Sequence, residues 1–293
     1  MTSVVVAGDI LVDIIVRIDA PLAPGADSPA RTVLRGGGSA ANVAAWLAAS
    51  GGDVTLVGGI GDDELGRGQE AELRALGIRT RLRTDPVRPT GTCVVIVTAD
   101  GRRAMFADPG AGDLDPEDLP PDAFGPRAHF HLSGYVLVRE RSREAGLLAL
   151  EMARAADMSV SVDASSAARL AAVGPRAFLR WIEGVDLLFA NQEAARVLTG
   201  LRDPVAGARR LTASTVRAAV LRLGPAGALR ASRSGSIERV PAEAAEVVDP
   251  TGAGDAFDAG FLAARLSGAS PVDALTAGVH LAARAVSRVG ARP

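Results

Sequence analysis

The chain has 293 residues, a formal net charge of −2 and 48% apolar side chains, enough to bury a core in one large α/β domain or two small ones. That charge gives no general reason to expect nucleic acid or an anionic membrane as partner, and no apolar run is long enough to cross a bilayer. MTSVVVAGDI lacks the basic start and cleavage site of a signal peptide, so the expectation is a soluble cytoplasmic protein. Cys93 is the single cysteine, which excludes an intramolecular disulfide and a cysteine metal cluster. The 32 Lys-plus-Arg positions are all arginine. Without lysine, neither a Walker-type phosphate loop nor a Schiff-base mechanism is open to the chain.

In chain order, short β-branched runs alternate with alanine- and leucine-rich segments: SVVVAG, SAANVAAWLAAS, VTLVGGIG and ELGRGQEAELRALG first. The rhythm returns with AHFHLSG, REAGLLALEMARAA, MSVSVDAS, VDLLFAN and VRAAVLRLG. Wholly apolar strands separated by helices predict a parallel sheet covered on both faces. Residues 11–35 and 91–108 hold strand-like runs with no helix between them and read as an antiparallel patch beside the main sheet, placed to act as a lid. The Pro- and Asp-rich segment 109–126 reads as a surface loop, and helical patterns dominate from about residue 254.

Several segments along this frame can carry chemistry. In GGGSAANVAAW, residues 36–46, three glycines precede Ser39, a candidate N-cap, and a helix carrying Asn42. Backbone N–H groups with an Asn amide suit a polyhydroxylated ligand; the segment alone serves equally as a turn for tight helix packing. A dinucleotide GxGxxG is a poor fit, because 36–41 reads GGGSAA and no acidic residue closes a following strand at the right distance. His129 and His131 share one face of a strand but have no third ligand nearby, so packing is the simpler role. Trp46 and Trp181 lie on apolar helix faces and read as core. Asp163 ends a strand, the end at which parallel sheets place their sites. LRLGPAGALR, residues 221–230, is a strand, a tight turn at Gly224 and Gly227, and a second strand, either a hairpin or a seat for a nucleoside.

The most specific segment is DPTGAGDAFDAGF, residues 249–261. Gly252, Ala253 and Gly254 let a ligand approach the backbone, and the free N–H groups of a helix start point at it. Such a turn suits negative charge developing on a transferring phosphoryl group, and Asp255 at the same helix start could take a proton from a hydroxyl. Read by itself, the segment is also an ordinary glycine turn with an N-terminal Asp.

Taken in order, these segments resemble the ribokinase-like carbohydrate kinases, the PfkB family, over nearly the whole chain. GGGSAANVA followed by VTLVGGIGDDELG is similar to the family's N-terminal signature, and VDPTGAGDAFDAGFL to its C-terminal one. The resemblance implies a three-layer α/β/α fold with a central, mostly parallel sheet and a small β-sheet lid, as one domain spanning 1–293. It implies transfer of the γ-phosphoryl of ATP, with Mg²⁺, to a hydroxymethyl group of a sugar or sugar derivative. Asp255 then falls on the catalytic base, and Gly252, Ala253 and Gly254 on the anion hole. Asp13, Gly37, Gly38 and Asn42 fall on the sugar site, Asn191, Gly224 and Gly227 on the nucleotide side, and Asp249 where many members hold a monovalent cation such as K⁺. In that mechanism Asp255 needs no raised pKa, because the hydroxyl loses its proton late. With no lysine present, phosphate charge falls to Mg²⁺, backbone amides, the helix dipole and an arginine.

The chain also departs from the family pattern. Ala194 stands where the family's Asn-x-x-Glu places a glutamate that orders Mg²⁺ hydration; Glu193 is one residue early, about 100° away around a helix. Leu11, Ser39 and roughly Ser133 stand at positions that are polar sugar contacts in ribose kinases, which disfavours ribose itself. An adenosine-type nucleoside kinase and a non-catalytic metabolite sensor are the alternatives. The lid segments offer only Phe106 to stack on a base, which favours a sugar, and the family's habit of pairing lid strands implies a homodimer.

Overall fold

The computed structural model describes residues 2–19, 25, 27–98 and 103–293, so residues 20–24, 26 and 99–102 of the two lid segments lie outside the described residues. The chain opens with β1 (Ser3–Ala7), β2 (Leu11–Ile18) and β3 (Ala30–Gly37), then α1 (Ser39–Ala49), β4 (Asp53–Gly61), α2 (Glu64–Ala75), β5 (Arg79–Asp85), β6 (Thr90–Thr98) and β7 (Arg103–Gly110). Next come β8 (His129–Ser133), α3 (Gly134–Val138), α4 (Glu140–Ala155), β9 (Ser159–Asp163), α5 (Ala167–Val173) and α6 (Pro175–Trp181). The remainder is β10 (Leu187–Asn191), α7 (Gln192–Thr199), α8 (Pro204–Ser214), β11 (Ala218–Arg222), β12 (Ala228–Ser232), β13 (Ile237–Val240), α9 (Ala253–Leu266) and α10 (Pro271–Val286).

Nine of these strands form the main sheet, in the order β13-β12-β11-β10-β9-β8-β1-β4-β5. From β11 to β5 all neighbours are parallel, and β12 and β13 close one edge as antiparallel hairpins. Alternation within single strands sorts the helices into two layers. Val4 and Val6 of β1 pack into the core that holds α1, α2, α9 and α10, while Val5 and Ala7 pack into the core that holds α3 to α8. Each fully buried Val, Leu or Phe contributes roughly 1.5–3 kcal/mol, so two apolar faces per strand require helices on both sides. The expected three-layer architecture is present.

The smaller sheet has the order β3-β2-β6-β7. It is mixed, which corrects the expectation of an antiparallel patch: β2 pairs with β6 in parallel over eight positions, Leu11↔Gly91 to Ile18↔Thr98. A parallel pair needs a long crossover, and here the whole run from β3 to β5 supplies it. Leu11, Ile15, Cys93 and Val95 form a small buried core under this sheet, and the period of two places Asp13 on that same inward face. The surface-loop reading of 109–126 also needs correcting. Ala111 and Leu114 are fully buried, Arg83 of β5 donates to the Asp113 carbonyl at 2.8 Å, and the Asp113 carboxylate sits within reach of Arg88 and of Arg141 on α4.

Sequentially remote segments are fastened at α1. Trp46, buried on that helix, donates its indole N–H to the carbonyl of Ala291 at 2.9 Å, and the side chains of Arg284 and Arg288 lie over its ring. Trp46→Phe keeps an aromatic ring but removes the indole donor and part of the buried volume, leaving a buried carbonyl unpaired beside a cavity. The expected cost is about 2–4 kcal/mol, read as a lowered midpoint of chemical denaturation with an unchanged slope.

Candidate active site

The chain switches direction across the sheet between β8 and β1, and the space beyond the carboxyl ends of these strands is where open parallel sheets form their ligand crevice. Asp9 follows β1 there and is almost fully buried. It accepts from Ser133 Oγ at the end of β8 (3.1 Å) and from the backbone N–H of Ser39 (3.3 Å), with Arg139 at 3.8 Å. Asp163 ends β9, Asn191 ends β10 and Arg222 ends β11, so the strands deliver a row of polar groups to one rim.

The 249–255 turn faces that rim. Asp249 is buried and spends both carboxylate oxygens on backbone donors, Thr251 N–H at 2.9 Å and Gly290 N–H at 3.0 Å, which pins the turn at both sides. Gly252 is the N-cap of α9 with φ of 75°, a left-handed conformation that glycine adopts at little cost. Among the described residues the amides of Gly252, Gly254 and Asp255 make no hydrogen bond, and that of Ala253 reaches only the Pro250 carbonyl at 3.4 Å. A helix start with unpaired donors is an anion site in waiting.

Asp255, in the first turn of α9, is half-buried. Its Oδ1 accepts from Ser39 Oγ at 2.9 Å and its Oδ2 from Asn42 Nδ2 at 2.8 Å. Ser39 is therefore not the N-cap of α1, a place taken by Gly38; it is the first helical residue, and its hydroxyl serves Asp255. Asn42 likewise presents its amide N–H to Asp255, while its own Oδ1 is buried and unpartnered. Burial raises the pKa of Asp255 to about 7; the Asn42 and Ser39 donors and Arg222 oppose the rise, and the charge of Asp163 adds to it. The expectation that this carboxyl needs no raised pKa thus meets a structure in which it has one.

Asp13 lies on the inward face of β2 at 3% exposure, and among the described residues no hydrogen bond ends on its carboxylate. Burial lifts its pKa to about 7, against the pull of Arg292 and with further rise from Asp255, Asp249 and Asp9. The glycine run explains how these groups fit. A β-carbon at Gly37 would collide with the Asp13 carboxylate, and one at Gly36 with the guanidinium of Arg292. Arg292 donates to the Gly37 carbonyl at 2.8 Å and to Glu72 at 3.1 Å. Gly37, Gly38, Asn42, Asp13 and Asp255 are thereby gathered around one crevice.

On the other side, Asn191 caps α7 by accepting from Ala194 N–H at 2.8 Å. Ala194 is fully buried, whereas Glu193 is exposed and paired with Arg196 at 2.9 Å, so it does not replace the missing glutamate. Gly224 and Gly227 both have positive φ in the tight turn between β11 and β12, and a β-carbon at Gly227 would strike the Val240 carbonyl. His129 and His131 are buried, bonded to Ser159 and Ser161, and desolvation lowers them to about 3 and about 4; they are packed neutral rings. Among the described residues no group of three or more His, Cys, Asp or Glu is placed to hold a metal ion, and no helix is long and apolar enough to cross a membrane.

Sequence reasoning did not single out Asp9, Arg222 or Arg292 as site residues. Asp9 follows a strand as Asp163 does and the same rule could have found it, and Arg222 is a lone cation closing the apolar run of a strand. Nothing local marks Arg292, which reaches the site from 255 residues away.

Against this geometry, the family model for pfkB family carbohydrate kinases matches residues 1–293. The chain belongs to the PfkB family. It is 32% identical to a fructokinase of Klebsiella pneumoniae over 88% of this chain and 82% of that protein. It is 30% identical to an ATP-dependent ribose-1-phosphate kinase of Halopiger xanaduensis over 100% of this chain and 94% of the relative. Among solved structures, adenosine kinase from Sinorhizobium meliloti superposes with a TM-score of 0.90 at 27% identity, covering 100% of this chain and 96% of that one. As a PfkB member the chain is a phosphotransferase using ATP on a small polyol- or sugar-like acceptor; its relatives differ among themselves in acceptor.

Two buried carboxyls with raised pKa make a prediction about stability. An Asp raised to about 7 from an ordinary value near 3.8 favours the folded state fully only below about 4, and that advantage is lost as pH rises toward 7. Asp13→Asn removes the ionisation. The variant should match the wild type near pH 4 and exceed it by roughly 2–4 kcal/mol near pH 8, measured by thermal unfolding across that range.

Proposed function

We propose that the protein is an ATP-dependent kinase that phosphorylates a hydroxymethyl group of a sugar or sugar derivative. The observation that carries this reading is a half-buried carboxylate, Asp255, beside a turn whose amides at Gly252 and Gly254 have no partner. Asp255 takes the proton from the acceptor oxygen as the bond to phosphorus forms. The amides of Gly252, Ala253 and Gly254, at the positive end of α9, hold the charge that develops on the transferring group. Asp13, with no internal donor, accepts from acceptor hydroxyls, and the Gly37–Gly38 turn brings backbone within reach of them. Asn191 and the Gly224–Gly227 turn flank the nucleotide.

The free amides and the glycine turn suit ATP, whereas α7 offers Mg²⁺ no free carboxylate, since Glu193 is paired outward and Ala194 is a buried methyl. Bound with the nucleotide, Mg²⁺ would supply charge neutralisation without a carboxylate from α7. Asp249, with lone pairs beyond its two N–H partners, supports a monovalent cation such as K⁺ at the base of the turn.

A nucleoside acceptor is the second reading, favoured by Tyr135, a partly buried ring within the field of Asp9, Asp163 and Asp255. Arg139 already lies over that ring, 5.6 Å from its centre, which places a sugar first.

Release of ADP across a panel of sugars, sugar acids, sugar phosphates and nucleosides tests the assignment. Asp255→Asn should lower kcat by roughly 10²- to 10⁴-fold with ATP binding retained, and retention of more than about a tenth of kcat would remove Asp255 from the role. The rising limb of kcat/KM against pH should carry apparent pKa values of about 7 from Asp255 and Asp13 together, and Asp255→Asn should leave only the shallower limb of Asp13.

We extend the proposal to a homodimer through the small sheet. Among the described residues its outer strands β3 and β7 have unpaired edges, and Leu34, Met105 and Phe106 on them are 53%, 50% and 60% exposed. Light scattering should give twice the chain mass at micromolar concentration; a monomer there would contradict it.

A further inference from the structure

We propose that Arg222 is a positioning residue for the anion hole: its guanidinium, forked between the Gly254 carbonyl and the carboxylates of Asp163 and Asp258, holds the first turn of α9 in register with the strand ends. The inference rests on the phosphotransferase reading and extends it, because none of the steps above uses Arg222.

The geometry is specific. Nη1 donates to Gly254 O at 3.1 Å and to Asp258 Oδ1 at 2.6 Å, while Nη2 donates to Asp163 Oδ2 at 2.7 Å. One side chain from β11 thus ties the end of β9 to two positions of α9 that are one turn apart. The Gly254 carbonyl and the Asp255 N–H belong to the same planar trans peptide and point in opposite directions. Fixing the oxygen therefore aims the N–H of Asp255, which has no partner of its own among the described residues and continues the row of free amides at Gly252 and Gly254 that forms the proposed hole. The guanidinium also packs on the turn: a β-carbon at Gly254 would sit 3.2 Å from the Arg222 guanidinium carbon.

Stability is a weak reason for such a cluster. A buried ion pair rarely outperforms apolar packing of the same volume, and this one leaves Asp258 Oδ2 buried without a partner. Register is the better-attested use of buried charge. A planar fork reaches these acceptors from two nitrogens in fixed directions, whereas an ammonium offers rotatable donors from a single nitrogen.

Arg222 also sets the electrostatics of Asp255. The groups facing Asp255 are Ser39 and Asn42 from α1, Asp13 from β2, Tyr135 from α3, Asp163 from β9, Arg222 from β11 and Asp258 on α9 itself. Removing Arg222 leaves Asp163 uncompensated, so Asp255 should hold its proton to higher pH.

The test uses R222K, R222M and R222M/D163N in the full chain. R222K keeps a cation between the two carboxylates and so does not depend on R222M folding. It should unfold near the wild-type temperature yet lose about 10- to 100-fold in kcat with acceptor KM little changed. R222M should move the rising pH limb upward, and R222M/D163N should return the limb without returning kcat. Amide hydrogen exchange in the 249–258 segment should speed up in R222K, with α10 unchanged. An R222K enzyme with wild-type kcat and wild-type exchange in the 249–258 segment overturns the proposal. A wild-type chain that turns over no acceptor overturns the kinase reading instead, and the exchange rates then decide the clamp on their own.

Discussion

Two hydrogen bonds, from Ser39 and Asn42 on α1 to the carboxylate of Asp255 on α9, are the constraint around which the site is arranged. They require two helix starts, each preceded by a glycine turn, to converge on one carboxyl group. Both positive helix ends then favour its charged form, while burial and the neighbouring Asp163 disfavour it. The balance leaves a group near the middle of its titration at neutral pH, the condition in which a carboxylate can accept a proton and release it again.

The same balance recurs across the crevice. Asp9 accepts from Ser133 and from the backbone of Ser39, Asp249 from two backbone donors, and Asp163 and one oxygen of Asp258 from Arg222. Asp13 alone among these has no hydrogen bond within the described residues, and it is the one facing the space under the small sheet. A carboxylate held dry and unpaired is costly until hydroxyls arrive, so the cost of burying it becomes selectivity for a ligand that brings donors. The absence of lysine sharpens the division of labour. Arginines organise carboxylates through fixed forks, and the free donors at the start of α9 are backbone amides.

Much of this was legible in residue order. Alternating apolar runs and helices announced the layered sheet, and the two glycine signatures announced both helix starts, with Asp255 in the first turn of the second. Less legible was anything that depends on partners from afar. Whether β2 meets β6 in parallel depends on the length of the crossover and not on either strand's own pattern. Ser39 resembles an N-cap locally, yet Gly38 takes that place and frees the hydroxyl for a residue 216 positions away. Arg222 reads as one polar interruption in an apolar strand until Asp163 and Asp258 are brought against it.

The hold of Arg292 on the carbonyl of Gly37, across a separation of 255 residues, has a bearing on how the molecule matures. Local strand–helix units can assemble early, since their contacts are close in sequence, but the crevice needs its two most distant segments to meet. A partly folded chain could therefore show nearly all of its secondary structure while having nowhere to seat an alcohol. Catalytic competence should arrive last, as a single late event set by loop closure.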